Sequence, residues 1–201
     1  MKVESCAKIN LGLHVLSRRA DNFHNIVTIF QEISFSDQLT IEQSKKTSFD
    51  TNVDWLDREN NTCIKAINIL QKQYPDLPNF NLFLQKNIPT NAGLGGGSSN
   101  GTATLKAIDK LCDLNLQEEE MSNFSEKISA DSPFFVNGGL QGGEEKGQKL
   151  FPIKSSLIDN YILLVMPDIK IQTSEAFMFI KKYLVKGKTD VKLSQMLEEL
   201  K

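Results

Sequence analysis

The run "NAGLGGGSSNGTATLKAIDKL", residues 91–111, sets Gly93, Gly95, Gly96 and Gly97 directly before a segment with the spacing of an amphipathic helix. Glycine costs conformational entropy, so a cluster of it serves close backbone approach or positive-φ turns. A bare backbone leading into a helix N-terminus is an anion site: the first N–H groups are unpaired and the helix dipole favours negative charge. Two better-known phosphate loops fail on spacing. No Lys-Ser or Lys-Thr follows the glycines, and a dinucleotide fingerprint counted from Gly93 needs glycine where Ser98 stands. Phosphate binding is therefore expected, by a loop of another type.

Around this run the chain reads as strands followed by helices. "CAKINLGLHVL" alternates, which predicts a strand with Ala7, Ile9, Leu11, Leu13 and Val15 on the core face. Its other face brings Lys8 and Asn10 side by side, as a solvated sheet face or a site would. "RRADNFHN" is turn-like, residues 26–43 resume strand character, and residues 44–60 are polar loop or short irregular strands. Asn61 can cap a helix over Thr62–Tyr74 with Ile64, Ile67 and Leu70 inward. "NFNLFLQK" is a strand that delivers Lys86 to the edge of the glycine run. The helix after the run turns Ala103, Ala107, Ile108 and Leu111 inward, and Asn115 with Glu118 makes a capping box for a helix carrying Met121, Phe124 and Ile128. "SADSPFF", residues 129–135, interrupts with an acidic turn and a proline. "YILLVMP", residues 161–167, predicts a buried strand; Thr173 can cap a helix to Leu184, and "SQMLEELK" opens another. This order is α+β.

Composition narrows the partners. A net charge of −2 with no basic tract gives no reason to expect nucleic acid or a membrane surface. Cys6, Cys63 and Cys112 are widely spaced and form no CxxC, so neither a disulfide framework nor a zinc site is expected. With no apolar signal core near the start and no run of spanning length, a reducing cytoplasm is the default setting.

Three stretches taken together, "AKINLGLHVLSRRADNFH", "IPTNAGLGGGSSN" and "SADSPFF", resemble the GHMP kinases. The resemblance runs over essentially the whole chain and is strongest to the branch that phosphorylates 4-diphosphocytidyl-2-C-methyl-D-erythritol. It implies a GHMP N-terminal domain that binds ATP and substrate over residues 1–152, and the opening part of a C-terminal α/β domain over 153–201. It further implies ATP with Mg2+, a small-molecule acceptor and transfer to the acceptor's 2-hydroxyl. By the same resemblance Lys8 and Asp131 are the catalytic pair, with Asp131 as base. Asn10, Phe23, His24 and Phe177 would hold the substrate, His24 reading cytosine between the Phe23 and Phe177 rings. Lys86, Gly93, Leu94, Gly95, Gly96, Gly97, Ser98 and Ser99 would hold the nucleotide, with Ser99 on the magnesium side. The chemistry is coherent: phosphoryl transfer is mostly positioning and charge stabilisation, a placed carboxylate takes the hydroxyl proton, and aromatic faces stack a base.

The chain also departs from the family pattern. Phe23 stands where tyrosine is usual, Asn22 and Asn91 where glycine is, and Glu145 and Gln148 where Gly and Glu are. Family chains continue well beyond residue 201. The expectation is a chain that binds ATP, turns over poorly or not at all, and self-associates through apolar surface after Pro152. Two other readings stand beside it: a GHMP kinase acting on mevalonate-type substrates or homoserine, against which "RRADNFH" argues, and a nucleotide-binding fragment without turnover.

Overall fold

The structure is a computed structural model and describes residues 1–21, 23–153 and 160–167. Asn22 and the expected helices from Thr173 and from residue 194 lie outside the described residues.

The alternating segments are strands: β1 (Lys2–Arg18), β2 (His24–Ser44), β3 (Ser48–Thr51), β4 (Asn79–Gln85), β5 (Leu140–Glu144) and β6 (Lys149–Pro152). Among the described residues they form one sheet in the order β3-β4-β2-β5-β6, with β1 antiparallel on the other edge of β2. β1 and β2 form a hairpin. β3 and β4 are parallel, so a crossover must join them, and α1 (Thr62–Gln73) supplies it. The glycine run feeds α2 (Gly96–Leu111), followed by α3 (Glu118–Glu126) and the short α4 (Phe134–Asn137).

Helices cover one face of the sheet. Leu39 and Ile41 of β2 and Phe80, Leu82 and Leu84 of β4 form one core with Ala66, Ile67 and Leu70 of α1 and Leu105 and Ile108 of α2. Met121, Phe124 and Ile128 close it from α3 and its C-terminal end. Ile64 is only partly buried; the stripe of α1 runs instead through Cys63 and Ala66. Asn61 caps α1 as expected, its Oδ1 accepting from the N–H groups of Cys63 and Ile64 at 2.9 and 3.0 Å.

Three expectations change. The capping box of α3 belongs to Gln117 and Glu120, not to Asn115 and Glu118: the Gln117 N–H donates to the Glu120 carboxylate at 3.0 Å. Asn115 takes φ +56 instead, a left-handed turn residue before the helix. The odd-numbered face of β1 is core only in part. Ile88, Leu94 and Leu164 cover Ala7 and Ile9, whereas Leu11, an extra residue at a β-bulge, and Leu13 lie beyond that cover and are exposed. Last, "YILLVMP" is neither strand nor buried. No strand among the described residues pairs with 160–167, and Tyr161, Leu163 and Val165 stand in solvent while Leu164 packs inward against Leu94 and its neighbours.

Two predictions follow from the helical layer. At Gly101 a Cβ would lie 2.8 Å from Ile128 Cγ2, whereas at Gly97 the nearest atom is 3.9 Å away. Gly101→Ala should lower stability by about 1–2 kcal/mol, because overpacking outweighs the gain in helix propensity. Gly97→Ala should be neutral or raise it, and opposite shifts in Tm check the pair. Burial pushes the Cys63 thiol from 9.0 up to about 12. The unfolded thiol ionises first, so Cys63 contributes stability below pH 9 that is lost at up to about 1.4 kcal/mol per pH unit as pH rises from there towards 12. Between pH 9 and 11 the stability of Cys63→Ala should fall less steeply than that of the parent.

Candidate active site

Lys8 is where the strand, the glycine run and the acidic turn meet. Its backbone N–H donates to the Leu94 carbonyl at 2.9 Å, tying β1 to the middle of the run. Its stem packs on Gly95, where a Cβ would meet Lys8 Cγ at 3.1 Å and Phe135 Cζ at 2.9 Å. Gly95 has φ +67 and precedes the first residue of α2, so the position demands glycine twice over: for its backbone and for the space. The "other" face of β1 is thus not solvated at Lys8, which is 5% exposed.

A buried ammonium needs partners. Lys8 Nζ donates to Asn10 Oδ1 at 2.8 Å, lies 3.7 Å from Asp131 Oδ2 and sits 5.4 Å from the centre of the Phe30 ring. Asn10 is fixed in turn: its Nδ2 donates to Thr28 Oγ1 at 2.7 Å, and Thr28 donates to the Gly12 carbonyl at 2.7 Å. The Asp131 side chain keeps 39% of its surface open, so one carboxylate faces solvent beside a shielded cation. That turn is held from α2: Thr102 Oγ1 donates to the Ser132 carbonyl at 2.9 Å, and Lys106 Nζ to the Phe135 carbonyl at 2.8 Å. Burial lowers the Lys106 ammonium from its ordinary value.

The rest of the expected nucleotide set divides. Gly93 and Gly95 take left-handed φ of +74 and +67, and Asn91, in a position where glycine is usual, takes +59. Gly95 offers α2 no side-chain cap, which leaves its first N–H groups to an anion. Leu94 is buried and anchors the loop. Gly97 is exposed and Ser98 half-buried; Ser98 Oγ accepts from Ser129 Oγ at 2.7 Å. Ser99 faces inward, 3% exposed, and accepts from Ser5 Oγ at 2.8 Å. Lys86 is buried too; its Nζ pairs with Asp37 beneath Gly96.

The expected substrate set divides: Asn10 sits beside Lys8, while Phe23 and His24 lie at the tip of the β1–β2 hairpin. Phe23 is 53% exposed, and Lys146 Nζ stands 5.2 Å from its ring centre. His24 pairs with Arg18 in the last rung of the hairpin. Phe177 lies outside the described residues. Glu145 and Gln148 shape the turn that carries Lys146. Glu145 adopts φ +60, its carbonyl accepts from the Ile26 N–H at 2.6 Å, and Gln148 bonds both the Glu145 carboxylate and the Lys146 N–H.

Sequence reasoning missed the buried polar residues Ser5, Asp37 and Asn100 under the loop, and Thr28 beside Asn10. Asp37 had a readable signal: it occupies the same register as Ile33, Phe35, Leu39 and Ile41, an acid on the core stripe of β2. No group of three or more His, Cys, Asp or Glu able to hold a metal occurs among the described residues, and no described helix is long and apolar enough to cross a membrane. A cavity of about 310 Å³ between β1 and α2 has neither Lys8 nor Asp131 in its lining, and the open Asp131 carboxylate makes the Lys8 locus the better candidate.

Known proteins bear on this arrangement. Residues 61–139 match the family model for the GHMP kinases N terminal domain. A 4-diphosphocytidyl-2-C-methyl-D-erythritol kinase from Parabacteroides distasonis is 39% identical over 176 residues, 87% of this chain and 65% of the relative. One from Persephonella marina is 34% identical over 196 residues, 97% of this chain and 71% of the relative. The chain spans 65%, 59% and 61% of the length of three curated relatives it matches. A crystal structure of a 4-(cytidine 5'-diphospho)-2C-methyl-D-erythritol kinase superposes with a TM-score of 0.66 at 29% identity, covering 76% of this chain and 55% of the other. The Methanococcus jannaschii mevalonate kinase, at 16% identity and a TM-score of 0.56 with 77% and 56% coverage, shares the fold. The chain belongs to the 4-diphosphocytidyl-2-C-methyl-D-erythritol kinases, a branch of the GHMP kinases.

Proposed function

We propose that this chain carries the phosphoryl-transfer centre of a kinase that moves the γ-phosphoryl group of ATP to the 2-hydroxyl of 4-diphosphocytidyl-2-C-methyl-D-erythritol. The observation that carries the reading is the convergence on Lys8: backbone on the glycine loop, stem on Gly95, ammonium 3.7 Å from the Asp131 carboxylate. In the proposed step Asp131 takes the proton of the acceptor hydroxyl as its oxygen bonds the γ-phosphorus. The bond from that phosphorus to the β–γ bridging oxygen breaks, and ADP leaves. The N–H groups opening α2 cradle the phosphates, and Lys8, held by Asn10, balances the charge between nucleotide and acceptor.

Magnesium, when bound, neutralises phosphate charge. Ser99 does not suit it, being turned inward onto Ser5, and without an acidic cluster among the described residues the ion would come with the nucleotide. The substrate class has its own support. Asn10 opposes Phe30 while Phe23 precedes β2, so the two loci are separated by roughly 20 Å of strand at 3.3 Å per residue. A ligand that touches both must be long, as a nucleoside diphosphate ester is. Residues 1–152 would form the ATP- and substrate-binding domain and 153–201 begin a second, whose exposed Tyr161, Leu163 and Val165 would mediate self-association.

Asp131→Asn should leave ATP affinity nearly intact and lower turnover by roughly 10²-fold or more, and Lys8→Ala should be comparably damaging. Isothermal titration with a non-hydrolysable ATP analogue, beside a coupled ADP assay, checks both. Near-normal turnover of Asp131→Asn removes it as base, while ATP binding with no turnover in the parent marks the chain as a binding fragment. Phe23→Ala should weaken the cytidine substrate by about 1–3 kcal/mol and spare ATP; equal losses would make Phe23 mere packing.

A further inference from the structure

Both ends of the anion-binding loop are fastened to one carboxylate. Asp37 is fully buried on β2. Its Oδ1 accepts the backbone N–H groups of Asn87 and Ile88, each at 2.7 Å, just ahead of the glycine run. Its Oδ2 accepts from Asn100 Nδ2 at 2.8 Å, in the first turns of α2, and pairs with Lys86 Nζ. The second N–H of Asn100 goes to Ser5 Oγ at 2.9 Å, and Ser5 donates to Ser99 Oγ at 2.8 Å. Four donors saturate the carboxylate.

The arrangement is more than a buried ion pair. Lys86 and Asp37 alone would satisfy each other, yet Asp37 also spends one oxygen on the two amides that start the loop and part of the other on the helix that ends it. Between these points lie Asn91, Gly93 and Gly95, all at positive φ. A segment that rich in permissive backbone has no conformation of its own. Its shape must come from where its ends and middle are held: by Asp37 at both ends and by the Lys8 N–H on Leu94 between them. Lys86 Nζ also comes to 3.0 Å from where a Gly96 Cβ would stand, so the same pair seats the first turn of α2.

We infer that Asp37 is a positioning residue for nucleotide binding: through Ile88 and Asn100 it sets the spacing and direction of the N–H groups at Gly96–Ser98. The inference rests on the reading of this loop as the nucleotide cradle. Asp37 touches no phosphate; it acts through the loop. Loss of it should raise the Kd for nucleotide without a matching change for the cytidine substrate, whose proposed contacts, at the far end of the hairpin and at Asn10 and Asp131, are not held by Asp37.

The test compares the parent, Asp37→Asn and the milder Asn100→Ala. Asn100→Ala keeps the Lys86 ion pair and both backbone bonds and frees only the helix end of the clamp. Titration with MgADP should show Kd raised about tenfold or more in Asp37→Asn and several-fold in Asn100→Ala, with the Kd of the cytidine substrate within about twofold of the parent. Amide hydrogen exchange without ligand, well below Tm, should be faster over residues 93–99 and unchanged over β4. A merely structural role would lower Tm and the folded fraction while leaving the MgADP Kd and the loop exchange of the folded protein at parental values, and that result overturns the inference. Should Asp37→Asn fail to fold, Asn100→Ala decides by the same two readouts. A parent that binds no MgADP overturns the cradle reading and this inference together; a parent that binds it beside variants that bind equally well overturns only this one.

Discussion

Strand β2 hydrogen-bonds along both edges, to β1 on one side and to β4 and β5 on the other, and the rest of the molecule is hung on that pairing. Its side chains address the site in sequence order. Thr28 holds Asn10, Phe30 lies under Lys8, Glu32 accepts from the Gly139 N–H at 2.9 Å, and Asp37 gathers the loop. The separations within the site are therefore the rise of one strand, modulated by the bulges that punctuate the β1–β2 register. A strand paired on both edges cannot slip, because a one-residue shift would turn Asp37 outward and a polar neighbour inward.

The fold was legible to the extent that periodicity reports it. Residues 26–43 and 79–86 alternate, the stripes of α1, α2 and α3 recur at helical spacing, and each of these segments took the expected form. The failures were of context. Leu11 and Leu13 continue the alternation of Ala7, but alternation states only which side chains share a face, not whether anything covers it. "YILLVMP" has the composition of a buried strand, yet a strand exists only beside another, and none of the described ones lies next to it. At the candidate site, Lys8, Gly95 and Asp131 stand out in sequence through their motifs, whereas Asp37 carries only the faint mark of an acid in an apolar register. Its four partners come from Lys86, Asn87, Ile88 and Asn100, too far along the chain for spacing to reveal.

Where the chain departs from the family pattern, geometry absorbs the change. Glu145 holds a left-handed conformation at a position where glycine would do so without strain. Its carboxylate is engaged by the Gln148 amide, whose oxygen also receives the Lys146 N–H, so the two departures form one unit. They close the turn that sets Lys146 over Phe23.

The crowding at Gly95 bears on how such chains diversify. Lys8 from the first motif and Phe135 from the third both press on the hydrogen of a glycine in the second, leaving no room for even a methyl group. Three stretches well separated in sequence, around residues 8, 95 and 135, are thereby a single point of contact. None of them can drift alone: a larger residue at 95 demands a smaller one at both 8 and 135, and the lysine cannot shrink without losing its charge. The three motifs are thus tied by a steric constraint that is separate from any chemistry they share.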